Sequence, residues 1–330
     1  MLRRNFLSGL CAIAAVQGIG ERTSAQEGAS VPIALPSTSL GGSLIRIAEP
    51  LGLFQKQGLV PKFTVMESAN IASTAIISRS TPAAISGTSE LLFAHLRGQE
   101  LVIIANTFSG FGATLVLSKQ VAGRIGIDSS APVPDRLKAL NGLMIASPSA
   151  TSDYTFSFRG AARAVGADVR FTFLDQTTMA AALQSGAIDG YVASAPNWVP
   201  PVLSGVGIIW LSGPKSDLPS NFMPRSSSSL QMRRDTAVGN PELARKLAAV
   251  HADLVRAIDE RPDDVKTAIL KFWPNLSPPA LDLIYSSEGA SWKAKALMPD
   301  DIAHDIEFLK STGAKLDGVE KINLESLIVR

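Results

Sequence analysis

Small hydroxyl side chains are the residues of this sequence best placed to do chemistry. They recur where an apolar, strand-like run gives way to a helical pattern, at Ser37, Thr38, Ser39, Ser68, Thr88, Ser89, Ser149, Thr151 and Ser194. Serine and threonine donate and accept hydrogen bonds without adding charge, and free backbone N–H groups at helix starts hold anions or polar groups. The pattern therefore predicts a site that binds a small polar molecule. Helix capping alone is the alternative for each residue, because Ser and Thr are favoured N-caps in general.

Charged side chains are scarce in the same segments. None of them contains Lys, Arg or His, which a multiply charged anion such as a polyphosphate would need. The carboxylates are few, mainly Glu67, Glu90 and Asp175, and this scarcity argues against a cationic ligand. The sequence therefore predicts a ligand that is polar or weakly anionic.

Three aromatic residues, Phe108, Tyr154 and Trp198, lie close to the same strand-like runs. Their rings could stack on a flat ligand or form an apolar wall of the site. Trp198 is the best candidate for such a wall because it stands beside Asn197 and just before two prolines. Core packing explains Phe108 at least as well.

Motifs for catalysis and metal binding are missing from the sequence. It contains no GxSxG, GxGxxG, GxxxxGK or HExxH string, and the histidines His95, His251 and His304 are scattered over predicted helix surfaces. The only cysteine is Cys11, so a cysteine nucleophile, a disulfide and a cysteine metal site are excluded for the rest of the chain. We therefore predict no catalytic residue, no metal ligand and no cofactor.

The elements that must position the hydroxyl residues form two α/β units. Strand-like runs alternate with helical patterns over residues 31–105, and the alternation restarts over residues 113–193. One pattern predicts a helix over residues 40–56, where apolar residues from Leu44 to Phe54 are spaced three, four and three positions apart. The β-α-β-α order predicts mostly parallel sheets covered by helices. The C-terminal third is helical and should pack back on one of the two units.

Length and composition suit this organisation. The chain has 330 residues, of which 46% are hydrophobic and 18% charged, and this is the composition of a globular protein with roughly two domains of ~150 residues. The net charge is only +2, so no global field attracts nucleic acid or an anionic membrane.

Residues 1–25 have the organisation of an export signal. Arg3 and Arg4 are followed by an apolar stretch, and Ala25 supplies a small residue for cleavage before Gln26. The string that begins at Arg3 also resembles the twin-arginine form RRxFL, and the choice between that route and general secretion stays open. We expect residues 26–330 to reside in the periplasm.

Several strings resemble periplasmic solute-binding proteins of ABC transporters. Residues 47–59 are similar to the AxExGLFxxxGL opening of the group for nitrate, taurine, alkanesulfonates and thiamine-pyrimidine precursors. Residues 137–151 resemble its LKGKxIGVSSPGSAT segment, residues 180–190 its AALxSGxVDA segment, and residues 194–196 its SxP strand end. The resemblance spans most of residues 31–235, in the right order throughout.

The resemblance implies a type II periplasmic-binding-protein fold, an α/β architecture of two lobes with an interlobe cleft. Lobe 1 would comprise residues 26–111 and 236–330, lobe 2 residues 112–235, with crossover segments near residues 112–117 and 228–232. The residues implied to bind the ligand are Ser37, Thr38, Ser39, Ser68, Thr88 and Ser89 in lobe 1 and Ser149, Ala150, Thr151, Ser194, Asn197 and Trp198 in lobe 2. The implied partners are a small-molecule solute and an ABC permease with its ATPase subunit, and the implied oligomeric state is a monomer.

Capture of a solute is therefore the leading hypothesis, and two alternatives remain on the same fold. A periplasmic enzyme would need a titratable group in the cleft, for which only Glu67, Glu90 and Asp175 stand at strand ends. A ligand sensor would need a signalling partner, and the sequence shows no segment for one. The absence of cysteine from residues 26–330 argues against the branch of the fold that synthesises the thiamine pyrimidine.

Overall fold

The computed structural model describes residues 28–150 and 152–329. The predicted export signal and the predicted site residue Thr151 lie outside the described residues. The strands are β1 (Ala29–Leu35), β2 (Leu59–Val65), β3 (Ala83–Ser86), β4 (Leu101–Ser109), β5 (Thr114–Ser118), β6 (Met144–Ser147), β7 (Arg170–Phe173), β8 (Gly190–Ala193), β9 (Gly207–Ser212) and β10 (Ser226–Arg233).

The α-helices are α1 (Leu40–Ser43), α2 (Leu53–Lys56), α3 (Ala69–Ile77), α4 (Thr88–Leu96), α5 (Lys119–Ile125), α6 (Val133–Lys138), α7 (Asp153–Ala164), α8 (Gln176–Ser185), α9 (Val199–Leu203), α10 (Arg234–Gly239), α11 (Pro241–Glu260), α12 (Pro262–Phe272), α13 (Pro278–Trp292) and α14 (Pro299–Ser311). Short 3-10 turns cover Leu44–Ala48, Ser220–Phe222, Val319–Lys321 and Leu324–Leu327. No helix among the described residues combines the length and the apolar character that crossing a bilayer requires.

The strands form two mixed sheets of five strands each. The first sheet has the order β2-β1-β3-β10-β4, with β1 parallel to β2 and β3, and β10 antiparallel to both of its neighbours. The second has the order β7-β6-β8-β5-β9, with β6 parallel to β7 and β8, and β5 antiparallel to both of its neighbours. The predicted α/β class is confirmed, although each sheet contains one reversed strand that the sequence reading did not foresee.

The chain passes between the two sheets twice, and each reversed strand follows a passage. Residues 110–113 connect β4 to β5, and residues 213–225 connect β9 to β10. The sequence expectation of a second crossover at residues 228–232 is wrong, because these residues lie inside β10 and pair with β3 and β4. Residues 226–233 therefore belong to the first sheet, not to lobe 2 as the sequence reading assigned them.

The predicted helix over residues 40–56 is broken into three parts. α1 is followed by a 3-10 turn, and α2 begins only after Gly52, whose φ of +73° lies outside the helical region. The apolar spacing still serves its purpose, because Leu44, Ile47 and Phe54 are all buried. Periodicity thus predicted the buried face correctly but not the continuity of the helix.

The C-terminal helices pack on the first sheet, as expected for a region that lacks strands of its own. α11 and α13 pack against β4, and α13 also contacts α9, which connects β8 and β9 of the second sheet. One hydrophobic cluster consequently continues from Ile33 in the first sheet through Trp292 and Trp198 to Tyr191 in the second. α13 thus brings side chains such as Trp292 between the two sheets.

Candidate functional site

A cavity of about 160 Å³ lies between the two sheets and is called the cleft below. Its lining residues are Pro36, Ser37, Ser39, Gly41, Gly42, Ala69, Ser86, Gly87, Phe108, Gly112, Tyr154, Ser194, Ser227, Ser228 and Glu288. A protein cavity of about 150 Å³ holds benzene, so the cleft has room for a compact molecule. Because its lining comes from both sheets, a molecule bound there contacts both halves of the protein.

The topology explains why these residues meet at one edge of the first sheet. β1, β3 and β4 run in the same direction, so their carboxyl ends bring Ser37, Ser86 and Phe108 together. β10 runs the other way, and therefore its first residues, Ser227 and Ser228, arrive at the same edge. Both the carboxyl ends of parallel strands and the amino end of a reversed strand thus line the cleft.

The loop after β1 is held by its own hydroxyl groups. The Oγ atoms of Ser37 and Ser39 are 2.7 Å apart, and Ser39 Oγ also accepts the Gly42 N–H at the start of α1. The Ser43 hydroxyl donates to the Ser37 carbonyl. Capping and lining the cleft are therefore compatible roles for the same serines.

Serines of β10 connect the second passage to the first. Ser227 Oγ donates to the Gly110 carbonyl at 2.6 Å and accepts the Gly112 N–H at 3.0 Å. Ser228 Oγ lies 2.9 Å from Thr107 Oγ1, also within hydrogen-bond distance. These bonds fix the short passage at residues 110–113 against β10, directly beside the cleft.

Two aromatic rings line the cleft, and Trp198 is not one of them. Phe108 is buried and Tyr154 is half-buried. Burial raises the pKa of the Tyr154 hydroxyl to about 12 against the opposing effect of a hydrogen bond with Ser194, so this group is neutral at ordinary pH. Trp198 has no exposed surface, so the prediction that it forms a wall of the cleft is wrong; its indole instead packs behind the cleft, against Glu288.

Glu288 is the carboxyl group that lines the cleft. It lies on α13, is only 1% exposed, and accepts a hydrogen bond from Trp198 Nε1 at 3.1 Å. Burial raises the pKa of Glu288 to about 7, while hydrogen bonds from Trp198, Trp292 and the Ala195 amide act in the opposite direction. Glu288 therefore exchanges a proton near neutral pH, and its bond to Trp198 joins the C-terminal helices to the second sheet.

A group of three more carboxyls, Glu90, Asp153 and Asp305, borders the cleft and is called the acidic cluster below. The Glu90 carboxyl packs directly against Gly87, which lines the cleft, since a Cβ atom added at Gly87 would lie only 2.5 Å from Glu90 Oε2. The pKa of Asp153 is raised, first by burial and then by repulsion from Glu90, although a hydrogen bond from Ser89 lowers it. Asp153 begins α7, which lies between β6 and β7 of the second sheet. The acidic cluster therefore has members on both halves of the molecule, just as the bond between Trp198 and Glu288 joins the two halves.

Asp305 is the most buried member of the acidic cluster, with 2% exposure. Its Oδ1 accepts the Arg225 N–H, and its Oδ2 has no hydrogen-bond partner among the described residues. Burial raises the pKa of Asp305 to about 7, and repulsion from Asp153 adds to this effect.

Among the described residues, no group of three His, Cys, Asp or Glu side chains is placed to hold a metal ion.

The structure brings three of the predicted site residues to the lining of the cleft: Ser37, Ser39 and Ser194. It places the others elsewhere: Thr38, Ser68, Thr88, Ser89, Ser149, Ala150, Asn197 and Trp198. Ser68 caps α3 by accepting the Ile71 N–H, which is the capping alternative. Asn197 lines a separate groove beside Trp273. Thr38 and Ala150 are exposed, and Thr88 and Ser89 are buried next to the cleft at the start of α4.

Sequence reasoning missed Glu288, Ser227 and Ser228 as lining residues. The signal for Glu288 was an acid on an otherwise apolar helix stripe, since Leu281, Ile284 and Trp292 on α13 are buried on the same side. The signal for the serines was the unbroken run over residues 226–229. The expectation that the histidines lie on helix surfaces is wrong for His251, which is 7% exposed and whose pKa burial lowers to about 4.

Comparisons with known proteins bear on the fold. A family model described as the NMT1-like family matches residues 29–271. A protein from Bordetella bronchiseptica RB50 is structurally similar with a TM-score of 0.70 and 19% identity, over 92% of this chain and 95% of that one. No curated protein matches the sequence significantly.

Two further solved structures are named for what they bind. The alkanesulfonate-binding protein SsuA from Xanthomonas axonopodis pv. citri, solved with MOPS, gives a TM-score of 0.67 and 14% identity over 92% of this chain and 99% of that one. The periplasmic nitrate-binding protein NrtA from Synechocystis PCC 6803 gives a TM-score of 0.63 and 18% identity over 91% of this chain and 87% of that one. The likeness confirms the predicted periplasmic-binding-protein fold.

Proposed function

The chain belongs to the NMT1-like family, and from this premise we propose that it captures a small polar organic solute in the cleft and delivers it to an ABC transporter permease. The observation that carries the proposal is that one cavity is lined from both sheets, by Ser37 and Ser39 on one side and by Tyr154 and Ser194 on the other. A solute that contacts both sides stabilises the closed arrangement, which is how a two-lobe protein traps its ligand.

The proposed lobes follow the sequence prediction with one change. Lobe 1 contains residues 26–111 and the C-terminal part of the chain, now beginning at β10, and lobe 2 contains the second sheet. Solvent enters when the lobes separate, and the bonds of Ser227 to the first passage keep the two connections together during this motion.

The neighbours support the proposed location and partners. They include a periplasmic nitrate-binding protein and an alkanesulfonate-binding protein, and the sequence predicts an export signal over residues 1–25. We accordingly place residues 26–330 in the periplasm, as a monomer that releases its solute to a permease served by an ATPase. In this proposal the protein binds its solute and does not convert it.

An enzyme on the same fold is the second candidate, and Glu288 is the observation that favours it. A carboxyl group with a pKa of about 7 in a small cleft is suited to general acid–base catalysis. The two candidates differ in the fate of the solute: a binding protein releases it with its mass unchanged, whereas an enzyme releases a product of different mass.

Thermal unfolding of residues 26–330 with candidate solutes tests the proposal. The panel comprises alkanesulfonates, nitrate, aromatic carboxylates, amines, amides and amino acids, and solutes that co-purify are identified by mass. A ligand at about 100 times its Kd adds about 2.7 kcal/mol of stability, and for a chain of about 300 residues this raises Tm by about 4 °C.

Two matched serine variants locate the binding site in this experiment. Ser194→Ala removes a hydroxyl from the lining of the cleft, so we expect the thermal shift to shrink. Ser149→Ala removes a hydroxyl that does not line the cleft, so the shift should persist. Loss of the shift in Ser149→Ala alone would move the site to the loop after β6. If no solute in the panel produces a shift and no solute co-purifies, the capture function is rejected.

A further inference from the structure

Resting on the proposed function, we infer that Glu288 selects a solute that presents a cationic or neutral N–H donor, such as an ammonium, amidinium or amide, and that the cleft rejects sulfonates and carboxylates. The sequence predicts a polar or weakly anionic ligand, and this inference reverses its argument against a cationic one. The reversal comes from Glu288, which lies on α13 near the C-terminus and therefore outside the strand-end segments from which the ligand charge was predicted.

The first argument is the absence of any compensating cation. Among the described residues that line the cleft, none is Lys, Arg or His. None of the four carboxyls at or beside the cleft (Glu288 and the acidic cluster) forms an ion pair with a described residue. An anionic ligand would therefore add a further negative charge to this region with no protein cation to offset it.

Asp253 shows how this protein treats a buried acid outside the cleft. It is 7% exposed and pairs with Lys56 Nζ at 2.7 Å and with Arg256. Buried charges in proteins are as a rule paired or hydrogen-bonded. Glu288 is more deeply buried and has no ion pair, so among the described residues its ionised form is offset by hydrogen bonds alone, and a bound N–H donor would add to that offset.

The second argument concerns the hydrogen-bond capacity of Glu288. An ionised carboxylate offers about four acceptor positions. Trp198 Nε1 donates to Glu288 at 3.1 Å, and Trp292 and the Ala195 amide also act on this carboxyl as hydrogen-bond donors. A bound N–H donor takes the position that remains on the side of the cleft, and a donor that carries positive charge makes the stronger bond to the carboxylate.

The remaining lining residues fit such a ligand. Serine hydroxyls are neutral and adapt to either role in a hydrogen bond, and Phe108 offers an apolar surface. The pKa of about 7 for Glu288 lets a donor draw the group into its ionised form near neutral pH. The ionisable neighbour, Tyr154, stays neutral because its pKa is about 12, and the nearby acids of the cluster reinforce the preference for positive charge.

Four probes with one ring and different head groups test the inference: benzamidine, benzamide, benzoate and benzenesulfonate. Their affinities for residues 26–330 are measured by titration calorimetry at about pH 8, where a group of pKa about 7 is mostly ionised. We expect benzamidine to bind roughly 10- to 100-fold more tightly than benzoate, which corresponds to one charge-assisted hydrogen bond. Benzenesulfonate should not bind.

Glu288→Gln is the decisive variant because it keeps an acceptor for Trp198 and removes the charge. It should lower benzamidine affinity by roughly tenfold or more and leave benzamide within about threefold. Wild-type protein at about pH 6.5 should release a proton on binding benzamidine, seen as a dependence of the measured heat on the buffer, and the variant should not. Glu320→Gln, an exposed substitution, is the control and should behave as wild type.

The outcomes separate this inference from the capture function. Tighter binding of benzoate or benzenesulfonate, or an unchanged benzamidine preference in Glu288→Gln, overturns the donor inference and leaves capture standing. A co-purified anionic solute does the same. Failure of all four probes overturns the inference for compact planar donors, and if the wider panel also gives no shift and no solute co-purifies, capture is rejected as well.

Discussion

Replacement of Glu288 by Gln should stabilise the protein at high pH and leave its stability unchanged at low pH. The folded protein holds the pKa of Glu288 at about 7, against an ordinary value of 4.5. Because the folded-state pKa is the higher one, the stabilisation from binding this proton is fully present below about pH 4.5 and is lost as the pH rises through about 7. Gln imitates the protonated form at every pH.

The magnitude follows from the difference between the two pKa values. Each pKa unit is worth about 1.4 kcal/mol. Protonation of Glu288 therefore contributes about 3 kcal/mol less to the free energy of unfolding of the wild type at about pH 8 than at about pH 4.5. Glu288→Gln should recover about that amount at the higher pH. An entropy of unfolding of about 2.1 cal/mol/K per residue over about 300 residues converts it to a rise in Tm of about 5 °C.

The measurement is thermal unfolding of dialysed wild-type and Glu288→Gln protein, followed by circular dichroism at a series of pH values from about 4.5 to 8. The difference in Tm between the two proteins should grow with pH and level off above about pH 7. Glu320→Gln should show no difference at any pH, since Glu320 is exposed. A Tm difference that does not vary with pH, or a variant less stable than the wild type at the highest pH, would refute the reasoning.

Three further substitutions test other parts of the site. Asp305→Asn should also raise Tm at about pH 8 and not at about pH 4, because burial holds the pKa of Asp305 at about 7; an equal rise at both pH values would contradict this. Ser227→Ala removes the bond to the Gly110 carbonyl and should cost about 1–2 kcal/mol in urea unfolding; no change would mean that the connection is held by other contacts. Trp198→Phe deprives Glu288 of its indole donor and should destabilise the protein by about 1–3 kcal/mol, more at high pH than at low pH; the pH dependence should vanish when Glu288→Gln is added.

The sequence predicted those parts of the fold and site that depend on local pattern. Alternation of strands and helices gave two α/β units, and the hydroxyl residues after β1 and β8 included Ser37, Ser39 and Ser194, which line the cleft. These residues are next to strand ends in the sequence, so they are next to the cleft wherever the strands assemble into a sheet.

The parts that could not be predicted depend on contacts between distant segments. Glu288 reaches the cleft only because α13 packs against both β4 and α9, and nothing near it in the sequence indicates that arrangement. Ser227 and Ser228 were missed because β10 is reversed, which brings the beginning of a strand, not its end, to the cleft. The helix expected over residues 40–56 is broken twice, where α1 gives way to a 3-10 turn at Leu44 and again at Gly52 with its φ of +73°, although the apolar spacing predicted the buried face.

Hydrogen bonds between described residues link the halves of the molecule. The Leu40 N–H donates to the Ala195 carbonyl at 2.9 Å, and Trp198 Nε1 donates to Glu288. Each contributes about 0.5–1.5 kcal/mol net, so together they disfavour the open form by about 5- to 150-fold. In the proposed capture function a solute enters only while the lobes are apart, and its apparent association rate falls by the same factor. At high solute concentration the binding rate should then reach a plateau set by the opening rate, so that capture is limited by how often the lobes separate and not by how often the protein meets a solute.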